Sequence, residues 1–226
     1  MDAVSRDLDD AMAAAKPDDG GSWWATTTTG QSYPARILSF NRKSPILREL
    51  LRDDRLTRIG TFTGDRFNAL DPEADLAAAG LLKKAGVTEG ISDVPWHKDC
   101  GPGNHSRTCC NLVVGISVTG AGPTNGGIAV VAGSHRAAVS PLNVESLDLP
   151  RISVATQTGD VTVHTTCTLH MSYPPESGGR RVVYTGFDLA SRRDGQELAP
   201  APALSERERA ATNDHVRSFQ RTRTAG

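Results

Sequence analysis

The 226-residue sequence predicts a mainly β fold, an antiparallel sandwich or barrel built as a double sheet, on three observations. From about Thr57 the text breaks into short segments rich in Val, Ile and Thr: IGTFTGDRFNAL, GLLKKAGVTEGISDVPWHKD, RTCCNLVVGISVTG, GGIAVVAGSH, ISVATQTGDVTVHTTCTLHM and RRVVYTGFDL. Gly, Pro and Asn separate these segments, and 22 glycines and 13 prolines against 5% aromatic residues fit a loop-rich fold of short elements. No segment recurs at a fixed period, which sets solenoids and propellers aside.

Taken in order, residues 2–16 read as an Ala-rich helix that Lys16-Pro17 and the DDGGS run stop. SWWATTTTGQSYPARILSF (22–40) reads as short strands broken at Tyr33-Pro34. Ser44-Pro45 then opens a helix, with Ser as the cap and Pro in the first turn. Ile46, Leu47, Leu50, Leu51 and Leu56 recur at helical spacing, while Arg48, Glu49, Arg52 and Asp53 fill the other face. Two later segments resist a strand reading: DPEADLAAAG (71–80), a helix or loop, and PLNVESLDLPR (141–151), a connection. After Leu189 come a polar Pro/Ala linker and ERERAATNDHVRSFQ, a final exposed helix with a solvated charged face. The expected organisation is a single domain: helical and extended support over 1–56, a β core over 57–189, and a linker with a C-terminal helix over 190–226.

Lys+Arg 25 against Asp+Glu 26 leaves no global field to attract phosphate backbones or anionic lipid, so nucleic acid and membrane are excluded as default partners. No apolar run approaches the roughly 20 residues of a spanning helix, and the acidic start MDAVSRDLDDAMAAAK does not read as a signal peptide. The expectation is a cytoplasmic protein acting on a small molecule. Cys100, Cys109, Cys110 and Cys167 lack the paired C-x-x-C of a zinc site and are expected to be reduced, packed thiols.

The chemistry concentrates in VPWHKDCGP. His97 and Asp99 lie two apart, so on a strand an imidazole and a carboxylate project to the same side. A metal site needs a third ligand, for which the other histidines, His105, His135, His164, His170 and His215, are the candidates. Two imidazoles and one carboxylate on one face of octahedral Fe(II) leave three positions for a bidentate co-substrate and O2. Zinc favours more nitrogen or sulfur ligands, or a partnering Glu base. The pattern points to non-haem iron.

WHKD (96–99), NGGIAVVAGSHR (125–136) and GDVTVHTTCTLHMSYPPESGGRRVVYTGF (159–187) together resemble the phytanoyl-CoA dioxygenase family of Fe(II)/2-oxoglutarate oxygenases. Ala132 stands where the family usually has proline, and Pro175-Glu176 where it commonly has asparagine. The resemblance implies a double-stranded β-helix (jelly-roll, cupin-like) core with supporting N-terminal and C-terminal helices. It implies iron on His97, Asp99 and His170, with His164 packing beside the ligands. Arg181, eleven positions past His170, and Ser172 are then expected to hold the remote carboxylate of 2-oxoglutarate, with Lys83 or Lys84 as a further contact. Arg180 is the alternative to Arg181, since adjacent strand residues face opposite ways and only one can point inward. Gly133 is expected to permit a turn and His135 to tie down a loop. Asn111 is open between a co-substrate or substrate contact and a structural amide. Trp96 is the aromatic expected near the pocket, and GPGNHSR (101–107) a lid over it. The implied activity is oxidation of a small molecule with 2-oxoglutarate and O2, a hydroxylation, desaturation or cyclisation in bacterial secondary metabolism; a carboxylate at Asp99 argues against halogenation. A cupin-like metal enzyme that uses no 2-oxoglutarate, or an inactive jelly-roll binding protein, are the competing readings.

Overall fold

Strand alternation sorts the side chains of this chain onto two kinds of surface, one packed with hydrocarbon and one bearing charge. The computed structural model describes residues 1–90, 94–100, 109–136, 139, 141, 144 and 148–191. In chain order the elements are α1 (Asp2–Ala14), β1 (Ser22–Thr27), β2 (Ser32–Ile37), α2 (Phe40–Lys43), α3 (Pro45–Leu51), α4 (Asp54–Thr57), β3 (Arg66–Ala69), β4 (Ala79–Lys84), β5 (Val87–Glu89), β6 (Val94–His97), β7 (Asn111–Ser117), β8 (Ile128–Val131), β9 (Arg151–Val154), β10 (Val161–Thr165), β11 (His170–Ser172) and β12 (Gly179–Ser191). Short 3-10 turns occupy Arg58–Thr61, Pro123–Asn125 and Ser134–Arg136.

The strands form two antiparallel sheets of a jelly roll. The larger runs β10-β7-β12-β4-β2-β1-β5, with β3 added to the far end of β12; the smaller runs β6-β11-β8-β9. Along β12, Arg181, Val183 and Phe187 turn to one side, and Arg180, Val182 and Tyr184 to the other. The first side is the outer face of the large sheet, roofed by the helices. There Leu8, Phe40 and Leu47 of the helices meet Val114, Ile116, Val183 and Phe187 of the sheet, each at most 2% exposed. α1 is held by an apolar stripe, Val4, Leu8, Ala11 and Met12, at helical spacing. It approaches closely because β4 has Gly80 beneath it: a Cβ there would lie 2.4 Å from Leu8 Cδ1 and 3.2 Å from the Phe40 ring. Polar ties complete the roof. Ser44 caps α3 by accepting from the Leu47 N–H at 3.1 Å and donates its own hydroxyl to Asp7 at 2.5 Å.

Several sequence expectations are corrected. The large sheet takes β1 and β2 from ahead of residue 57, and Pro34 does not break β2. It pairs with Trp24 next to a bulge at Trp23/Trp24, where a missing N–H is tolerated. Residues 58–61 form a 3-10 turn instead of a strand, so Ile59 and Gly60 pack under β3. The segment 71–80 is turn followed by the start of β4. Cys110 is exposed, although Cys167 is buried, and none of the four cysteines forms a disulfide. The C-terminal linker and helix lie outside the described residues, as does the 101–107 segment. Among the described residues, no helix is long and apolar enough to cross a membrane.

The helical roof supplies stability without touching the inner face. Leu8→Ala is therefore expected to cost about 2–5 kcal/mol in urea unfolding while leaving divalent-metal binding at its wild-type affinity; an unchanged unfolding midpoint would show the roof to be dispensable.

Candidate metal centre

β6 and β11 are neighbours in the small sheet, and their register sets His97 directly opposite His170. Their imidazoles stand side by side, ring centroids 4.1 Å apart. Asp99 follows in the turn after β6, which is anchored by the Cys100 N–H donating to Thr166 O at 3.3 Å. One donor atom from each of His97, Asp99 and His170 lies within 4.8 Å of the other two. His97 Nε2 is 3.4 Å from Asp99 Oδ1, and His170 Nε2 is 3.5 Å from Asp99 Oδ2.

The far nitrogens of both rings decide what this cluster can hold. His97 Nδ1 lies 2.8 Å from Pro95 O, and His170 Nδ1 lies 3.0 Å from Thr168 O. A carbonyl only accepts, so each Nδ1 carries the proton and each Nε2 presents a lone pair toward Asp99. Burial pushes the His170 imidazole down to about 4, against the pull of Asp99, so it is neutral at neutral pH. Two imidazole lone pairs converging on an ionised carboxylate fit a divalent cation, and this mixed nitrogen and oxygen donor set suits Fe(II).

A second cluster lies on the inner face beside the first. Lys83 and Arg180 sit directly opposite each other across β4 and β12, each 2% exposed. Buried like charges in that position repel, so the pair fits an anion. Arg180 donates to Gly126 O at 3.0 Å and to the Tyr184 hydroxyl at 3.3 Å, both neutral acceptors. Ser172, 5% exposed, accepts from Lys83 Nζ and from the Val94 N–H at 3.0 Å. With both lone pairs engaged, its own O–H is left to donate. The NGG motif builds this corner. Asn125 closes the turn by accepting from the Gly122 N–H at 2.7 Å. Gly126 adopts φ +88° where a Cβ would press on Pro175 and Lys83.

Arg181 is the correction. It lies on the outer face, where its guanidinium donates to Asp9 of α1 at 2.6 Å and to Ser5 at 3.4 Å. Spacing from His170 picks the wrong neighbour because the turn between β11 and β12 intervenes, and the side is fixed by pairing with β4. Lys84 also points away, over the Tyr33 ring at 4.5 Å.

The remaining histidines separate. His164 of β10 comes across from the large sheet, its Nε2 3.5 Å from Asp99 Oδ2 and its ring 4.4 Å from that of His170. Neither of its ring nitrogens makes a hydrogen bond. His135 is exposed, and the tie expected of it is made by Ser134, which donates to Val131 O at 2.7 Å and accepts from the Leu169 N–H at 2.8 Å. Trp96 packs with Val131, Val144 and Leu169, away from the centre. Asn111 donates to Asp188 at 2.5 Å. Both line a cleft of about 240 Å³ with Arg36 and Tyr184, two residues that sequence reading did not single out. Only the alternation of Tyr33, Ala35 and Ile37 against Pro34 and Arg36 in SYPARI carried a signal for Arg36.

A family model for phytanoyl-CoA dioxygenase matches residues 1–183. No curated protein matches the sequence. Among solved structures the chain is similar to AviO1 from Streptomyces viridochromogenes Tue57, with 23% identity, 89% of this chain and 88% of that chain covered, and a TM-score of 0.65. It is similar to EctD from S. alaskensis, solved with 2-oxoglutarate and 5-hydroxyectoine, at 17% identity, 88% and 71% coverage and TM-score 0.64. It is also similar to SnoK, a non-heme alpha ketoglutarate dependent carbocyclase from nogalamycin biosynthesis, at 20% identity, 74% and 73% coverage and TM-score 0.56.

The ligand geometry carries its own test. Replacing His97, Asp99 or His170 singly by Ala is expected to weaken Co(II) binding, followed by calorimetry, by about 10–100-fold or more, whereas His135→Ala leaves it unchanged. Wild-type affinity in all three variants would dissolve the centre.

Proposed function

This chain belongs to the phytanoyl-CoA dioxygenase family of Fe(II)/2-oxoglutarate oxygenases, and on that premise we propose that it hydroxylates a small-molecule substrate, with His97, Asp99 and His170 as its iron ligands. The observation that carries the reading is the convergence of three ligand atoms within 4.8 Å, with both Nδ1 protons committed to backbone carbonyls.

The division of labour follows from the side chains. His97 and His170 offer Nε2, their orientation locked by the carbonyls of Pro95 and Thr168. Asp99 completes the set and neutralises part of the ion's charge. Arg180, Lys83 and the Ser172 hydroxyl receive the remote carboxylate of 2-oxoglutarate; the planar guanidinium offers it a two-pronged contact, and low exposure strengthens each bond. The iron, when bound, supplies the oxidation itself: 2-oxoglutarate and O2 become succinate and CO2, and one oxygen atom is delivered to the substrate. The protein's share is to hold co-substrate and substrate in register beside the ion and to keep water out. His164 crowds the ligand cluster from the opposite sheet and fixes the packing of His170 and Asp99.

A role in secondary metabolism is supported by a neighbour in fold, a carbocyclase of nogalamycin biosynthesis. The fold carries more than one outcome, and a carboxylate at Asp99 fills the position a halide would need, which argues against halogenation.

Succinate formation from 2-oxoglutarate under air with ferrous iron is the direct test. Arg180→Met is expected to raise the KM for 2-oxoglutarate by at least about tenfold, and His170→Ala to abolish turnover. Arg181→Ala should retain turnover and cost no more than about 1 kcal/mol of stability, since its pair with Asp9 is half-exposed. Loss of turnover in Arg181→Ala with Arg180→Met active would reverse the assignment.

A further inference from the structure

Arg36 is a charge placed on the inner face of the barrel with no ion-pair partner among the described residues. In β2, Tyr33, Ala35 and Ile37 are buried on one side and Arg36 turns to the other. Its register partners are Leu81 of β4 and Trp23 of β1. Leu81 in turn opposes Val182 of β12, so Arg36 shares the face of Arg180, Val182 and Tyr184. Its guanidinium lies 4.6 Å from the centre of the Trp23 ring, which fixes one face of the plane. Its Nε is sealed from solvent and makes no hydrogen bond. Among the described residues, none of the ion pairs involves Arg36.

Burying a guanidinium without a carboxylate is costly, and burial does depress the proton affinity of Arg36, with Tyr184 and Asp99 only partly compensating. Among the described residues, the acidic groups of this end of the cleft are engaged elsewhere. Asp99 belongs to the ligand cluster, and Asp188 accepts from Asn111. Tyr184 stands between two cationic stations. On one side is Arg180, bonded to the Tyr184 hydroxyl, with Lys83 and Ser172; on the other is Arg36 with Trp23. A dicarboxylate such as 2-oxoglutarate fills the first. The second opens on the cleft that Leu70, Leu76 and Ala79 line with hydrocarbon.

We propose that Arg36 is the recognition residue for an oxyanionic group, a carboxylate in the first instance, on the primary substrate, whose apolar body lies along Leu70, Leu76 and Ala79. Trp23 holds the guanidinium plane so that its edge offers two parallel N–H donors to the anion. The substrate enters anion-first against Arg36 and presents its body toward the ligand cluster. This deepens the oxygenase reading of the same site and rests on it for the substrate's role, while the binding itself can be measured apart from turnover.

The test uses the full chain under anaerobic conditions, loaded with ferrous iron and saturating 2-oxoglutarate so that the Arg180 station is filled. Cyclohexanecarboxylate and cyclohexanecarboxamide, matched in shape and differing in charge, are titrated by ligand-observed NMR. The acid is expected to bind the wild type at least about tenfold more tightly than the amide. Arg36→Met should abolish that preference while leaving the affinity for 2-oxoglutarate, read from the visible charge-transfer band of the ferrous complex, unchanged. If Arg36→Met does not fold, Arg36→Lys carries the same measurement and should show the preference reduced but present. No preference in the wild type, an undiminished one in the variant, or a loss of 2-oxoglutarate affinity instead, would each overturn the proposal. Failure of the charge-transfer band to form in the wild type would sink the oxygenase reading, a different result from any of these.

Discussion

Two imidazole lone pairs and an ionised carboxylate do not share a volume less than 5 Å across by their own choice. At His97, Asp99 and His170 they are forced together by strand register, and the carbonyls of Pro95 and Thr168 hold the ring protons on the outward side. A divalent cation relieves that arrangement, and the molecule is organised around keeping it. The small sheet supplies the cross-strand histidine pair, the turn at Cys100 sets Asp99 between them, and His164 closes the cluster from the opposite sheet. A change that rotates either ring would release an Nδ1 proton from its carbonyl and disperse the ligands before any chemistry was attempted.

This constraint explains why the chain places its hydrocarbon where it does. A barrel interior that must carry Lys83, Arg180, Arg36 and a metal site cannot also be the main source of folding energy. The outer face takes that role: Leu8, Phe40, Leu47, Val183 and Phe187 form the principal apolar cluster between the helices and the large sheet. Arg180 and Arg181 make the separation visible in adjacent residues. The first serves the interior, and the second pins α1 to the sheet through Asp9. Gly80 serves the same end, since only a residue without a side chain lets α1 lie close enough for Leu8 to seal the outer surface.

Much of this was legible in the sequence wherever a local rule operates. Ser44-Pro45 announced the capped helix and the short Val, Ile and Thr segments announced the β class, whereas the strand ends at His97 and Asp99 meets it from the following turn, not by strand alternation. The family resemblance reached across distant segments to His170 and Ser172. What failed were inferences that depend on the side of a strand after a turn. Counting from His170 to Arg181 crosses residues 173–178, and a turn carries no parity; only the pairing of Arg180 with Lys83 settles which arginine faces inward. Pro34 misled for a related reason: its effect depends on whether its missing N–H faces a partner, and the bulge beside Trp24 removes the conflict. Trp96 neighbours His97 in sequence and for that very reason points away from it, while Tyr184, which lines the cleft, and Trp23, which stacks on Arg36, come from strands far along the chain.

The inner face also orders its charges. Lys83 and Arg180 are crowded opposite each other, whereas Arg36 stands apart against an indole, and Tyr184 lies between the two groups. Crowded cations demand a strong, doubly held anion and tolerate little else, which is what a co-substrate common to many reactions requires. A single guanidinium with one face stacked and its edge open is a weaker and more adaptable contact, as a variable substrate requires. On the proposed assignments, the co-substrate station and the substrate contact at Arg36 draw on different side chains of the inner face. No residue lining the cleft at Arg36 belongs to the ligand set, so the proposed substrate contact can vary without altering the side chains that converge at His97, Asp99 and His170.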